Sequence, residues 1–300
     1  GVVGKKALVL GSGGASVTVC AVLRDLGAAS VTVISRSGPD NYENLDRHAD
    51  AQIAVNTTPV GMYPNTGVSP VDLHRLPRLE AALDVVYNPA RTEFLLQAEA
   101  RGLRRANGLL MLAAQAKKSC EDFTGEPVDD AKIFSITKAL EAQMHNVILI
   151  GMPGSGKTTI GTLVAKRLGR TFVDADSALE REAGMPIPEI FRREGEAGFR
   201  RRETAVLAEL GRQSGLVLAT GGGSVTREEN YPLLHQNGTI FCLTRELDRL
   251  PLDGRPVSQA LGAEEIYRRR KPLYEKFADA MINNDRTVED AVHQILEVLG

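Results

Sequence analysis

Val147-Ile148-Leu149-Ile150-Gly151-Met152-Pro153-Gly154-Ser155-Gly156-Lys157-Thr158 decides how the second half of the chain is read. Four apolar residues spell a buried strand. The next eight fit G-x-x-x-x-G-K-[ST], a loop that turns from strand to helix around a polyphosphate. Its glycines let successive backbone N–H groups face inward without Cβ clashes. Lys157 adds a point charge near the β- and γ-phosphates, and Thr158 offers a hydroxyl to Mg2+. The helix expected over 159–168 brings its positive N-terminal end to the same anion. Gly151, Gly154, Ser155, Gly156, Lys157, Thr158 and Thr159 are therefore expected to hold a nucleoside triphosphate.

Further along, Thr171-Phe172-Val173-Asp174-Ala175-Asp176 reads as a strand ending in two acids. A period of two places Asp174 and Asp176 on one side of that strand, at the end where an open α/β sheet binds ligands. One carboxylate can hold Mg2+ through water while the other accepts from a substrate hydroxyl. Residues 194–203 open a helix, with Arg201 and Arg202 on its solvated face. The strand expected over 216–220 runs into Gly221-Gly222-Gly223, which permits close backbone approach to a ligand. Further strands are expected over 239–243 and 278–283. Thr287 then caps the last helix, with Asp290 at its third position.

The first half opens in the same grammar. Residues 6–10 form a short apolar strand, followed by Gly11-Ser12-Gly13-Gly14-Ala15-Ser16 and a helix to 26 that Gly27 stops. A β-branched strand over 30–35 completes the opening of a dinucleotide-binding βαβ unit. Ser16 stands where the third glycine of G-x-G-x-x-G belongs. At the second strand's end, Ser35-Arg36-Ser37 replaces the acid that would hold a ribose 2′-hydroxyl. A guanidinium between two hydroxyls suits a 2′-phosphate, so NADP is expected rather than NAD. More strands are expected over 51–55 and 83–86, with a Pro-, Gly- and Asn-rich loop over 63–79. Ile133, Ile136, Leu140 and Met144 recur at helical spacing within 128–144, which predicts a packed last helix for this half. The domains are therefore expected at 1–145 and 146–300, with no low-complexity linker between them.

Composition narrows the class. Three hundred residues suggest about two domains. With 43% apolar and 25% charged residues the chain reads as globular, and a net charge of −2 argues against a general nucleic-acid or polyanionic-membrane binder. No stretch has the form of a membrane span or a signal peptide. Cys20, Cys120 and Cys242 lie far apart with no C-x-x-C spacing, which predicts reduced thiols in a cytoplasmic protein.

With Phe199-Arg200, Asp253-Gly254-Arg255-Pro256 and Arg270-Lys271-Pro272-Leu273-Tyr274 added, residues 146–300 resemble the shikimate kinases over their whole length. The resemblance implies a phosphate-loop α/β domain with a parallel sheet, of nucleoside monophosphate kinase type. It also implies Mg2+-dependent transfer of the γ-phosphoryl group of ATP to the 3-hydroxyl of shikimate. In that family's terms Arg200 and Arg270 clamp the substrate carboxylate, and Asp176 orients the hydroxyl and draws off its proton. Gly221, Gly222 and Gly223 meet the ring, and Thr158 and Asp174 hold the metal. Lys157 and the lid arginine Arg255 stabilise the transferred phosphate, although 243–259 is short for a lid.

Residues 1–144, with Tyr87, Asn107-Gly108-Leu109-Leu110-Met111-Leu112 and Gln115, resemble the Rossmann-type cofactor-binding domain of shikimate dehydrogenase. That resemblance implies Gly11, Gly13, Gly14 and Ala15 at the NADP phosphates, Ser35, Arg36 and Ser37 at the 2′-phosphate, and Tyr87 and Gln115 at the shikimate ring. The family's catalytic Lys and Asp belong to a preceding substrate domain, which this sequence does not contain. NADP binding is thus expected here without hydride transfer. The chain reads as a shikimate kinase fused to an incomplete dehydrogenase. Two other readings stand beside it: a kinase of another small polyol such as gluconate, and a nucleotide-binding scaffold. The scaffold reading expects exposed apolar surface around Leu109, Leu110 and Leu112.

Overall fold

A computed structural model describes residues 1–246 and 263–300. The chain divides into two compact α/β units, Gly1–Glu141 and Ala142–Gly300.

In the first unit five parallel strands take the order β2-β1-β3-β4-β5. They are β1 (Lys6–Leu10), β2 (Ser30–Ile34), β3 (Ile53–Asn56), β4 (Ala81–Asp84) and β5 (Arg104–Ala106). The helices are α1 (Gly14–Asp25), α2 (Glu93–Ala100), α3 (Leu109–Thr124) and α4 (Ala131–Met144), whose last three residues belong to the second unit. Alternation along β1 feeds two cores: Leu8 and Leu10 join Ile34, Leu73 and Phe94, while Ala7 and Val9 join Cys20, Leu23 and Val55. A parallel strand covered on both faces has no polar side, which is why residues 7–10 read as an unbroken apolar run. Between α1 and α3 a groove of about 700 Å³ opens over the sheet, lined by Val22, Leu26, Ile53, Leu83 and Met111 among others.

Helix α4 forms where its periodicity predicts, but it does not pack as expected. Phe134 is 65% and Ile136 47% exposed, and Thr137 is its one buried residue. Periodicity reports an amphipathic face and cannot say whether anything covers it. The apolar exposure expected around 109–112 is also only partial. Leu109 is buried and Leu110 exposed, whereas Val17 and Phe123 present more apolar surface.

The second unit is also a five-stranded parallel sheet, in the different order β10-β9-β6-β8-β7. Its strands are β6 (Asn146–Gly151), β7 (Thr171–Asp174), β8 (Leu216–Ala219), β9 (Gly238–Thr244) and β10 (Ala280–Asn283). The helices described are α5 (Lys157–Leu168), α6 (Ala175–Ala183), α7 (Ile187–Gly211), α8 (Asn230–His235), α9 (Ala263–Phe277) and α10 (Val288–Leu299). Buried Asn146 anchors the start of β6: its Nδ2 donates to Gln213 O and its Oδ1 accepts from Leu216 N. Along β6, Ile148 and Ile150 enter one core and Val147 and Leu149 the other. Each such side chain contributes roughly 1.5–3 kcal/mol by leaving water. The central strand is therefore rigid, and it carries the phosphate loop. Thr287 and Asp290 form the capping box expected at α10.

Two local expectations are corrected. Strand β7 stops at Asp174, and Asp176 lies in the first turn of α6, so the period-two argument for the pair fails. Asp174 ends the strand by capping the helix, its Oδ1 accepting from Asp176 N and Ser177 N. Helix α7 begins at Ile187, before the expected start, and is interrupted at Gly195, where φ is +66°. Among the described residues no helix is long and apolar enough to cross a membrane, and all three cysteines are free.

Candidate active site

In the second unit β6 delivers the chain into residues 151–156, where Gly151, Gly154 and Gly156 all have positive φ. Two of these glycines are fixed by neighbours as well as by backbone. A Cβ on Gly151 would lie 2.5 Å from Leu243 O, and one on Gly156 would lie 2.7 Å from Asn284 Nδ2. Asn284 Nδ2 donates to Ser155 O at 2.8 Å, tying the loop to the end of β10. Helix α5 starts at Lys157 with no side-chain cap, so its first N–H groups are left for a ligand. Lys157 Nζ donates to Gly151 O and Met152 O, which holds the ammonium across the loop.

A cavity of about 650 Å³ opens beside this loop. It is lined by Lys157 and Thr158, by Asp174 and Asp176, by Arg200 and Arg270, and by Gly221, Gly222 and Gly223. Thus the loop, the two acids, two arginines and the triple glycine, read from separate stretches of sequence, share one space. The expected lid arginine, Arg255, lies outside the described residues.

Each glycine of the triplet answers to a different wall. A Cβ on Gly221 would meet Asp176 Oδ1 and Glu203 Oε1 at 2.8 Å; on Gly222, Pro153 Cδ at 2.7 Å; on Gly223, the guanidinium of Arg200. The backbone of 221–223 is pressed between the phosphate loop and the charged side chains, and any larger residue would push them apart. Gly222 O accepts from Arg270 Nη1 at 3.0 Å and from Tyr274 Oη at 2.5 Å, which aims the second arginine. Burial pushes the Tyr274 hydroxyl well above the ordinary tyrosine range, so it stays a donor.

Sequence reasoning gave Glu203 no role, yet it organises the first arginine. Arg200 and Glu203 are both buried, and Arg200 Nη1 donates to Glu203 Oε2 at 2.7 Å. Arg200 also lies over the Phe199 ring, 5.1 Å from its centroid. The i,i+3 spacing on α7 was the available signal, since it puts both groups on one helix face. By contrast Arg202 pairs with Glu194 and Arg201 is exposed, as a solvated face requires.

The two acids have different tasks. Asp174 spends Oδ1 on the helix cap, while its Oδ2 accepts from Thr158 Oγ1 at 3.0 Å. Asp176 has a pKa pushed up to about 6, first by burial and then by the nearby carboxylates of Asp174 and Glu203, with Lys157 and Arg200 opposing. A carboxylate poised there exchanges a proton more readily than an ordinary aspartate near neutral pH. Burial also raises Glu203, against the pull of Arg200.

In the first unit the turn after β1 brings Gly11 (φ +100°) against Thr57 and Thr58; a Cβ there would lie 2.7 Å from Thr58 Cγ2. Gly13 starts α1 without a side-chain cap. Ser16, in place of the third glycine, is buried and donates from Oγ to Gly13 O. Ser35, Arg36 and Ser37 follow β2, with Arg36 exposed. Tyr87 lines a small cavity with Thr57, Thr58 and Asn88, whereas Gln115 lies on the apolar groove. The two residues line different cavities.

Comparison with known proteins bears on the second unit. The shikimate kinase family profile matches residues 153–300. A shikimate kinase of Nitrosomonas europaea is 44% identical over 150 residues, covering 47% of this chain and 71% of its own length. One from Thiobacillus denitrificans is 44% identical over 157 residues, covering 48% of this chain and 84% of its own. The crystal structure of shikimate dehydrogenase 1 from Peptoclostridium difficile is similar at 37% identity and a TM-score of 0.44. It covers 47% of this chain, which spans about half (54%) of that protein's length. Through the unit built around its phosphate loop, the chain belongs to the shikimate kinase family.

Proposed function

We propose that the cavity beside residues 151–158 transfers the γ-phosphoryl group of ATP to the 3-hydroxyl of shikimate, with Lys157, Asp176, Arg200 and Arg270 as its working side chains. The observation that carries this assignment is their convergence with Gly221–Gly223 on one cavity of about 650 Å³. Shikimate carries a carboxylate and hydroxyls, so it needs cationic forks at one end and an acceptor at the other. Arg200, held by Glu203, and Arg270, held by Gly222 O, are preset forks for the carboxylate. Asp176 accepts the hydroxyl proton as the oxygen attacks phosphorus. The new O–P bond forms while the bond to ADP breaks, and Lys157 balances charge on the phosphates.

Thr158 and Asp174 suit Mg2+, since two adjacent oxygen donors leave the other positions to water and phosphate, as that ion prefers. Bound there, it would neutralise charge on the β- and γ-phosphates. A soluble cytoplasmic setting fits the three free thiols.

The first unit, on the same reading, holds NADP. Gly11 gives the close approach, the uncapped start of α1 receives the pyrophosphate, and exposed Arg36 meets the 2′-phosphate. Hydride transfer is not proposed for this unit.

Two assays on the same chain test both assignments. One follows ADP release with ATP, Mg2+ and shikimate; the other follows NADPH formation with NADP and shikimate. Shikimate-dependent ADP release without NADPH is expected. Release with gluconate but not shikimate would move the kinase to another polyol, and NADPH formation would show a hydride transfer that the first unit is not proposed to carry out.

A further inference from the structure

We infer that Arg245, which follows β9 directly, is a further catalytic residue of the kinase site and donates to the transferring phosphoryl group. The inference rests on the kinase reading above and uses described residues only.

The position of residue 245 is set from both sides. In the pairing of β6 with β9, Leu243 lies opposite Gly151, the first glycine of the phosphate loop. Thr244 Oγ1 donates to Ile282 O at 3.1 Å, and Thr244 O accepts from Asn284 N at 2.9 Å. On the other side Glu246 N donates to Asp285 Oδ1 at 2.7 Å. Arg245 is thus carried on an anchored backbone beside a rigid loop, and a fixed origin lets a long side chain act as a preorganised donor.

Arg245 lines the same cavity as Lys157, Thr158, Asp174 and Asp176. There its Nε is buried and meets no hydrogen-bond partner among the described residues. A buried, unpaired N–H on a charged group is costly to keep. An anionic oxygen entering the cavity removes that cost, and a guanidinium matches phosphate oxygens in a way an ammonium does not. The other cations there already have assignments: Lys157 lies across the loop, Arg200 is held by Glu203, and Arg270 by Gly222 O. Arg245 is left to follow charge during the step itself. As the substrate oxygen bonds to phosphorus and the bond to ADP breaks, the hydroxyl proton passes to Asp176, and Arg245 holds the moving phosphoryl oxygens.

The test compares wild type with Arg245→Met and Arg245→Lys in shikimate-dependent ADP release. Binding of ADP and of a non-hydrolysable ATP analogue is titrated alongside, and Tm is checked for each variant. Removing one preorganised donor of this kind lowers kcat by about 100-fold or more. That loss is expected for Arg245→Met, with analogue affinity reduced, ADP affinity and the KM for shikimate within twofold of wild type, and partial recovery in Arg245→Lys. A kcat within twofold of wild type in either variant would overturn the inference. Equal losses of ADP and analogue affinity would do the same, because they place Arg245 on the part of the nucleotide that does not move. If Arg245→Met fails to fold, the kcat of Arg245→Lys decides alone. A wild-type chain that releases no ADP with shikimate would instead overturn the kinase reading, and this inference with it.

Discussion

The two units solve the same backbone problem and surround the solution with different chemistry. In each, a central parallel strand with both faces buried ends in a glycine turn, and the helix beyond it starts without a side-chain cap. Around the second turn, Lys157, Asp174, Asp176, Arg200 and Arg270 share one cavity. Around the first, Gly11 is packed by Thr57 and Thr58, while Arg36 stands exposed after the neighbouring strand. A glycine turn is enough to bind a phosphate; catalysis requires charged side chains fixed by partners of their own. Glu203 behind Arg200 and Gly222 O behind Arg270 supply that fixing in the second unit.

The contrast is broken most directly at Lys157. Its ammonium is the cation closest in sequence to the turn, and the proposed step places it on the phosphates that change charge. Lys157→Ala is expected to lower kcat/KM for shikimate phosphorylation by about 1000-fold. NADP affinity of the first unit should not change. Wild-type phosphorylation by this variant would show that the turn binds nucleotide without assisting transfer, and the distinction between the units would collapse.

Acid should separate the units next. Asp176 must be ionised to accept the hydroxyl proton, and its pKa in the free protein is pushed up to about 6. Protonation below that pH removes the acceptor, so kcat/KM should fall about tenfold for each pH unit on the acid side. A profile flat down to pH 5 would mean that another group takes the proton. Asp176→Asn should abolish the acid limb together with most of the activity.

The sequence carried the glycine turns and most of the strands and helices, because each leaves a local mark. A phosphate loop is eight contiguous residues, and buried parallel strands are contiguous apolar runs such as 147–150. What it hid depended on contacts across the fold. Asp174 reads equally well as a strand residue and as a helix cap, and only the hydrogen bonds to Asp176 N and Ser177 N decide. Glu203 is one acid among many on a charged helix until burial singles it out. Helix α4 was legible as a helix, whereas its exposure was not, because an amphipathic pattern is silent about its partner.

Glu203 sharpens the claim that fixing matters. Glu203→Gln keeps the volume and one acceptor but removes the charge that holds buried Arg200. The freed guanidinium should turn toward Glu196, already 3.5 Å from its Nη2. A loss of about 1.4 kcal/mol in carboxylate binding is one factor of ten, so the KM for shikimate should rise roughly tenfold. The KM for ATP should stay near wild type. A change in kcat alone would show that Glu203 acts on the phosphoryl step through Asp176 rather than on the substrate carboxylate.

The smallest effect belongs to the unit without such fixing. Arg36 is exposed, so the contact proposed for it with a 2′-phosphate would be made in water and screened by salt. Exposed ion pairs are worth at most about 1 kcal/mol, which is roughly fivefold in affinity. Arg36→Ala should therefore weaken NADP about fivefold in a titration at low salt, less at high salt, and leave NAD unaffected. If NADP and NAD weaken together, Arg36 supports the loop rather than reading the phosphate. If NADP weakens a hundredfold, Arg36 closes onto the ligand in a desolvated pocket, and the first unit is as well fixed when loaded as the second.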